Sequence, residues 1–279
     1  MVDSLKSLAV FIHFSASTEI PYYVKVYLRE IGLFFDEVIF VTNNTAVNSS
    51  NLDLSTGVEV LTVKNEGYDL GMFFKVIQQI EPEKYLRIAC INDSNVLFKE
   101  LLATFSWSEK NAFDFWGVID SLEKPWFSTH SDNYHIQSHF MVFEAKAIPF
   151  LISYLENLDV KQLFSLTDKK ELRRKVINKW EIGLTQYFLS QGIAVGSRFQ
   201  AKKLAAKWNL NPKKNFAIRY FPQLAKEGYP LLKKKLIVKQ PLFEKIFGLQ
   251  PKWKKWLINF GSANCEIPKI IEDLESRKF

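Results

Sequence analysis

The sequence predicts an α/β fold, a mostly parallel sheet with helices on both faces, followed by a basic C-terminal extension. Three observations predict it. Short, almost wholly apolar runs alternate with segments of helical spacing through the first two thirds of the chain, and strands apolar on both faces belong in a parallel sheet covered on both sides. Hydrophobic residues make up 47% of the chain and aromatics 15%, with 24 Phe, which supplies a large core and argues against disorder. The charge is uneven: residues 198–258 hold sixteen Lys/Arg and two Glu, a surplus of 14. The rest of the chain, with 21 Lys/Arg and 28 Asp/Glu, is at −7, which gives the net +7.

Residues 8–14 form a short apolar run and read as a buried strand. Residues 20–31 have helical spacing, with Pro21 tolerated in the first turn. Strands follow at 37–42, closed by Asn43-Asn44, and at 58–63; residues 70–80 read as a helix and 85–91 as a fourth strand. Two later strands are expected at 113–118 and 138–143, helices at 149–158, 169–176 and 181–190, and a last strand at 193–195. From Ser197 the composition turns to Lys, Pro and aromatics, so the expected division is a domain over residues 1–196 and an extension over 197–279.

Two cysteines, Cys90 and Cys265, make no disulfide framework. No apolar run reaches the roughly 18 residues of a spanning helix, and Met1-Val2-Asp3-Ser4-Leu5-Lys6 does not read as a signal peptide. The expectation is a reducing, cytoplasmic setting. A concentrated basic region suits a polyanionic partner, whether a membrane surface, a nucleic acid or a phosphate-bearing substrate.

Ligands of parallel sheets bind at the carboxyl ends of the strands, so the polar residues closing each strand are the candidates. The third strand runs into Lys64-Asn65-Glu66-Gly67-Tyr68-Asp69. Asp69 suits either a cap on the next helix or a contact to a nucleotide's base or ribose. The fourth strand runs into Ile91-Asn92-Asp93-Ser94-Asn95, a group of oxygens suited to Mg2+ or Mn2+ shared with a phosphate, or to a plain turn. Glu181 opens an amphipathic segment closed by Gly192. A carboxylate in a first helical turn is favoured by the helix dipole and can serve as a general base. No nucleophile elbow, P-loop or dinucleotide fingerprint is present.

Glu181, Leu184 and Gly192 fit the spacing of a motif in inverting glycosyltransferases of the GT-A fold. Four segments, Asn65-Glu66-Gly67-Tyr68-Asp69, Asn92-Asp93-Ser94-Asn95, Phe115-Trp116-Gly117 and Gln137-Ser138-His139-Phe140, resemble in their order the rhamnan synthesis protein F family of bacterial glycosyltransferase-like proteins. The resemblance covers residues 8–195, with a weaker echo at Glu227-Gly228-Tyr229-Pro230-Leu231-Leu232-Lys233. It implies a GT-A-like (Rossmann-like) fold and a nucleotide-sugar donor held by Asn65, Gly67, Asp69 and Asp93. It also implies a divalent cation at Asp93 and Asn95, and Glu181 as the base that deprotonates the acceptor hydroxyl. Two positions depart from the pattern. The usual Asp-x-Asp is Asp93-Ser94-Asn95, and the base is Glu preceded by Trp180.

His130, His135 and His139 lie within ten positions, a spacing that also suits zinc. His139 falls in a strand-like run with no cysteine nearby, so contacts to sugar hydroxyls or the diphosphate fit the three better. Trp126, in the loop before His130, and Trp116 suit stacking on a sugar or packing in a core. The tail, from Tyr229 to Lys239 and from Pro251 to Ile258, interleaves Lys with Trp and Leu. That texture fits either an anionic membrane surface or a solvated basic face; without a nucleic-acid motif, nucleic acid is not expected. The functional expectation is sugar transfer to a glycan or polyprenyl-linked acceptor at the inner face of the plasma membrane. The alternative is a non-catalytic subunit that binds glycan or partner enzymes.

Overall fold

A computed structural model describes residues 5–52, 57–237 and 251–277; residues 1–4, and residues 238–239 at the end of the basic run, lie outside them. Eight strands form one sheet: β1 (Lys6–His13), β2 (Glu37–Thr42), β3 (Val58–Thr62), β4 (Tyr85–Asn92), β6 (Phe115–Ser121), β7 (His135–Ile136), β8 (Phe140–Glu144) and β9 (Val195–Phe199). The order is β3-β2-β1-β4-β8-β6, with β7 and β9 also on β6. The β1–β2, β2–β3, β1–β4 and β6–β9 pairs are parallel, and β8 lies antiparallel between β4 and β6. The mostly parallel α/β sheet expected from the sequence is therefore present, with β8 reversed inside it and the two-residue β7 also antiparallel to β6.

The period-2 alternation of a strand sends successive side chains to opposite faces. Along β1, Ala9 and Phe11 join one buried cluster, and Leu8, Val10 and Ile12 join the other. The second cluster is closed by the helices Tyr68–Ile77, Ile148–Glu156 and Leu184–Ser190. The first is closed by Tyr22–Ile31 together with three helices of the C-terminal extension, two in the basic segment (Ala201–Trp208 and Lys252–Phe260) and Ile267–Ser276 beyond it. The extension thus supplies much of one covering layer of the sheet. The expected division at 196/197 falls inside β9, which pairs in register with β6 from Phe115↔Val195 to Ile119↔Phe199.

Two departures from the expected elements shape the site. The helix expected to begin at Glu181 begins at Lys169, where Asp168 accepts from Lys170 N at 2.7 Å. It continues through a π-helical stretch, Ile177–Gly183, into Leu184–Ser190. Glu181 is therefore mid-helix, without a helix N-terminus beside it. The last strand starts at Val195, two residues beyond the expected start at 193. A short pair that the sequence pattern does not announce, β5 (Asn95–Leu97) with β10 (Leu231–Lys233), ties the basic segment to the chain just after β4. Among the described residues no helix is long and apolar enough to cross a membrane.

Candidate active site

The carboxyl ends of β1 and β4 open on two adjoining depressions. One, of about 570 Å³, is lined by Asp69, Asn92, His135, Gln137, Ser138, His139, Glu181, Arg173 and Lys233 to Lys235, among others. The other, more open and about 750 Å³, is lined by His13, Tyr23, Asp93 and Arg277, and Lys234 lines both.

Each side chain arrives by a traceable route. Gly67 (φ 77°) and Tyr68 (φ 56°) turn the chain sharply after β3. Gly67 is packed so tightly against the Phe164 ring that a Cβ would overlap it. The turn brings Asp69 into the first helical turn, where its side chain caps nothing; its Oδ2 accepts from Asn92 Nδ2 at 2.6 Å. Asn92 in turn accepts from Ser94 Oγ at 2.5 Å and Ser94 N at 3.1 Å, so the two strand ends are cross-braced. Burial, with the negative charges of Asp93 and Glu181, pushes the Asp69 carboxyl up to about 7 against the opposing pull of Lys234 and Arg173.

Asp93 is 8% exposed. Its Oδ2 accepts from His13 Nδ1 at 2.6 Å and from Lys234 Nζ at 3.1 Å. Burial alone would raise this carboxyl, but the His13 hydrogen bond and the Lys234 charge outweigh it and hold it below the usual range. His13 closes β1, and it belongs to the site although the sequence reading left it inside a buried strand. The polar residue ending an apolar run was the available signal.

The Gln137-Ser138-His139 segment is a bulge. Strand β6 pairs Gly117 with Met141 of β8 and Asp120 with Ile136 of β7, so three steps on β6 face five on the other side. Extra residues re-aim side chains at such points. Gly117 permits the close approach, because a Cβ there would overlap Ile136 and crowd Phe140 O. The bulge turns Ser138 toward Glu181, whose Oε1 accepts from Ser138 Oγ at 2.5 Å. His135 donates from Nδ1 to Asn133 O at 2.7 Å and holds Nε2 4.0 Å from Glu181 Oε2. His139 Nε2 lies 2.9 Å from Tyr229 OH, and burial, with Lys233 nearby, lowers its pKa well below the usual histidine value. Four cleft-lining side chains carry buried atoms with no partner among the described residues: both amide atoms of Gln137, His139 Nδ1, Trp180 Nε1 and Asn215 Oδ1.

The π-helical stretch sets Glu181 in this wall. Its widened turn frees carbonyls that side chains serve from outside: His130 Nε2 to Asn178 O at 3.0 Å, and Tyr154 OH to Lys179 O at 2.5 Å. Such stretches recur at functional sites. His130 is engaged here and lines a separate depression with Tyr154 and Tyr187, so the three histidines do not converge. Trp126 is 80% exposed with Arg174 stacked 4.6 Å over its ring, and it does not line the cleft. Asn65 lies on the turn before Gly67, also off the lining.

The expected divalent cation does not suit this donor set. Asp93 Oδ2 is already taken by an imidazole and an ammonium. Asn95, buried in β5, turns its Nδ2 to Ser94 Oγ at 3.0 Å and leaves its Oδ1 without a partner among the described residues, a single neutral donor where the usual pattern has a second carboxylate. Among the described residues no three His, Cys, Asp or Glu are grouped to hold a metal.

Of the tail residues that the sequence offers either to an anionic membrane surface or to a solvated basic face, several are placed at the cleft or in the core. Lys233, Lys234 and Lys235 line the cleft, and burial lowers the pKa of Lys233, partly offset by Glu181 and Glu123. Trp253 is 4% exposed in the core, and Trp256 packs 4.9 Å from Phe221.

The chain matches the profile of the family described as "Rhamnan synthesis protein F" over residues 38–249, well over half its length. Among curated proteins none matches it. Among solved structures it is similar to 4-diphosphocytidyl-2C-methyl-D-erythritol synthase from Anaerococcus prevotii, at 13% identity and a TM-score of 0.40, over 70% of this chain and 90% of that one.

Proposed function

The chain belongs to the rhamnan synthesis protein F family, and on that footing we propose that it is a glycosyltransferase moving a sugar from a nucleotide-sugar to a cell-surface polysaccharide acceptor. The observation that carries the proposal is the meeting in one cleft of a mid-helix carboxylate, Glu181, with the strand-end residues Asp69 and Asn92 and with four cations, Arg173 and Lys233 to Lys235. A carboxylate for acid-base work and positive charge in the same cleft match the needs of transfer from a diphosphate, in which a hydroxyl loses a proton and the leaving group gains charge.

In this mechanism the acceptor hydroxyl sits against Glu181, held in orientation by Ser138. Glu181 takes the proton as the oxygen attacks the anomeric carbon from the face opposite the diphosphate, which inverts that centre. The glycosidic C–O bond to the diphosphate breaks, and its electron pair stays with the departing phosphate oxygen. The unpartnered atoms of Gln137, His139 and Asn215 are completed by hydroxyls of the bound sugar, since a buried amide without a partner gains most from a ligand that supplies both donor and acceptor.

A thermal-shift panel of UDP-, dTDP- and GDP-sugars on the whole chain tests this, because a ligand that binds the native state raises the melting temperature. At least one donor class is expected to stabilise the protein. No shift with any of them at millimolar concentration would contradict the proposal and favour the non-catalytic binding subunit.

A further inference from the structure

We propose that Lys234 is the cation that holds the donor's diphosphate at the end of β4, with Asp93 and His13 as its positioning residues, so that transfer needs no divalent metal. The inference rests on the reading of the cleft as a nucleotide-sugar site. It starts from the position of one ammonium group. Lys234 lies at the seam between the two depressions and lines both. A nucleotide-sugar is a two-ended ligand joined by a diphosphate. A cation at the seam meets that joint when the nucleoside and the sugar fill opposite sides.

The lysine is held in place along its whole length. Its backbone N donates to Ser94 O at 2.9 Å, and the preceding Lys233 pairs in register with Asn95, so the segment is fixed to the chain that carries Asp93. Its Nζ donates to Asp93 Oδ2 at 3.1 Å and to Tyr23 OH at 3.2 Å, and it sits 5.7 Å from the centre of the Tyr23 ring. An ammonium has three donors. Among the described residues two are engaged, which leaves the third for a phosphate oxygen, while the side chain keeps 25% of its surface exposed. Asp93 is itself anchored by His13, at the same Oδ2. A carboxylate with an imidazole and an ammonium donating to one oxygen is arranged to aim a lysine and is a poor ligand for a hard metal, which needs several free oxygens. The depressed Asp93 pKa agrees with this, since an ionised carboxylate is the stronger acceptor for the Lys234 donor.

The chemical consequence is local. When the C–O bond to the sugar breaks, the pair of electrons and the new charge move onto the diphosphate, and Lys234 stabilises them through that third donor. Lys235, Lys233 and Arg173 add positive charge on the sugar side. The acceptor's proton leaves on Glu181, so charge and atoms balance without a metal.

Calorimetry of the whole chain with UDP, dTDP and GDP, in EDTA and again with Mn2+ or Mg2+, tests the proposal. Wild type is expected to bind one of them in EDTA, with metal leaving the affinity essentially unchanged. Lys234→Met is expected to weaken that binding at least about tenfold, the scale of one hydrogen bond to a charged group, and Lys234→Arg to retain most of it. Circular dichroism and melting confirm the fold of each variant; if Lys234→Met does not fold, the EDTA series on wild type and Lys234→Arg decides alone. Binding only in the presence of metal, or undiminished binding by a folded Lys234→Met, overturns the role of Lys234 and leaves the nucleotide-sugar reading standing. No binding of any nucleotide with or without metal overturns both.

Discussion

Asp69→Asn should stabilise the protein in a way that depends on pH. The Asp69 carboxyl titrates at about 7 in the folded chain against an ordinary 3.8, because it is buried and faces Asp93 and Glu181. Below pH 4 it is protonated in both folded and unfolded chains and has no pH-dependent effect. Between about 4 and 7 the unfolded chain releases this proton and the folded chain keeps it, so stability falls as pH rises. Above 7 both forms are ionised and the loss levels off. About three pH units at about 1.4 kcal/mol each give a total near 4 kcal/mol, of which about 3 accrues between pH 5 and 8. Asparagine keeps an acceptor for Asn92 Nδ2, now 2.6 Å from Asp69 Oδ2, and never ionises. Urea unfolding of both proteins at pH 5 and pH 8 measures the effect. The stability gap in favour of Asp69→Asn should widen by about 3 kcal/mol over that interval. A gap that stays constant would refute the assignment of a destabilised acid to this cleft.

Gln137→Leu removes two unpartnered buried amide atoms. Folding stability should hold or rise by about 1 kcal/mol, while binding of a whole nucleotide-sugar falls and binding of the bare nucleoside diphosphate does not; equal losses in both titrations would remove the sugar from this side of the cleft. Trp253→Ala should cost about 3–5 kcal/mol in urea unfolding through the cavity it leaves, since the ring is buried in the core. A loss below about 1 kcal/mol, accompanied by weaker recovery on anionic vesicles, would return the residue to a membrane-facing role.

Much of the sheet was legible because its strands announce themselves by apolar runs bounded by turns. Residues 37–42 are a strand in both the pattern and the structure. The clustering of Asp69, Asn92 and Asp93 followed from the rule that ligands gather at strand ends, and the glycine of Phe115-Trp116-Gly117 is explained by the bulge packed against it. The start of the Glu181 helix was misread for a physical reason. An acid ahead of an amphipathic run looks like a first-turn carboxylate, yet Glu181 lies mid-helix because the π-helical stretch Ile177–Gly183 carries the helix begun at Lys169 straight into Leu184–Ser190. Composition reports the charge of the lysines and not their address. Their address is fixed by the β5–β10 pairing, with Leu231 opposite Leu97, a contact between distant parts of the chain that no local periodicity encodes. The same long-range closure brings Tyr229 to His139.

The most direct measurement is turnover of a nucleotide-sugar by wild type and by Glu181→Gln, on the donor that the thermal-shift panel selects. The substitution keeps the size of the side chain and an acceptor for Ser138 Oγ, now 2.5 Å from Glu181 Oε1, and removes the group that takes the proton. Wild type is expected to transfer or hydrolyse the sugar, and Glu181→Gln to bind the donor as well while turning it over at least about a hundredfold more slowly. Wild-type turnover by Glu181→Gln would contradict the base assignment, and absence of turnover in wild type with every donor and acceptor offered would contradict the enzyme itself.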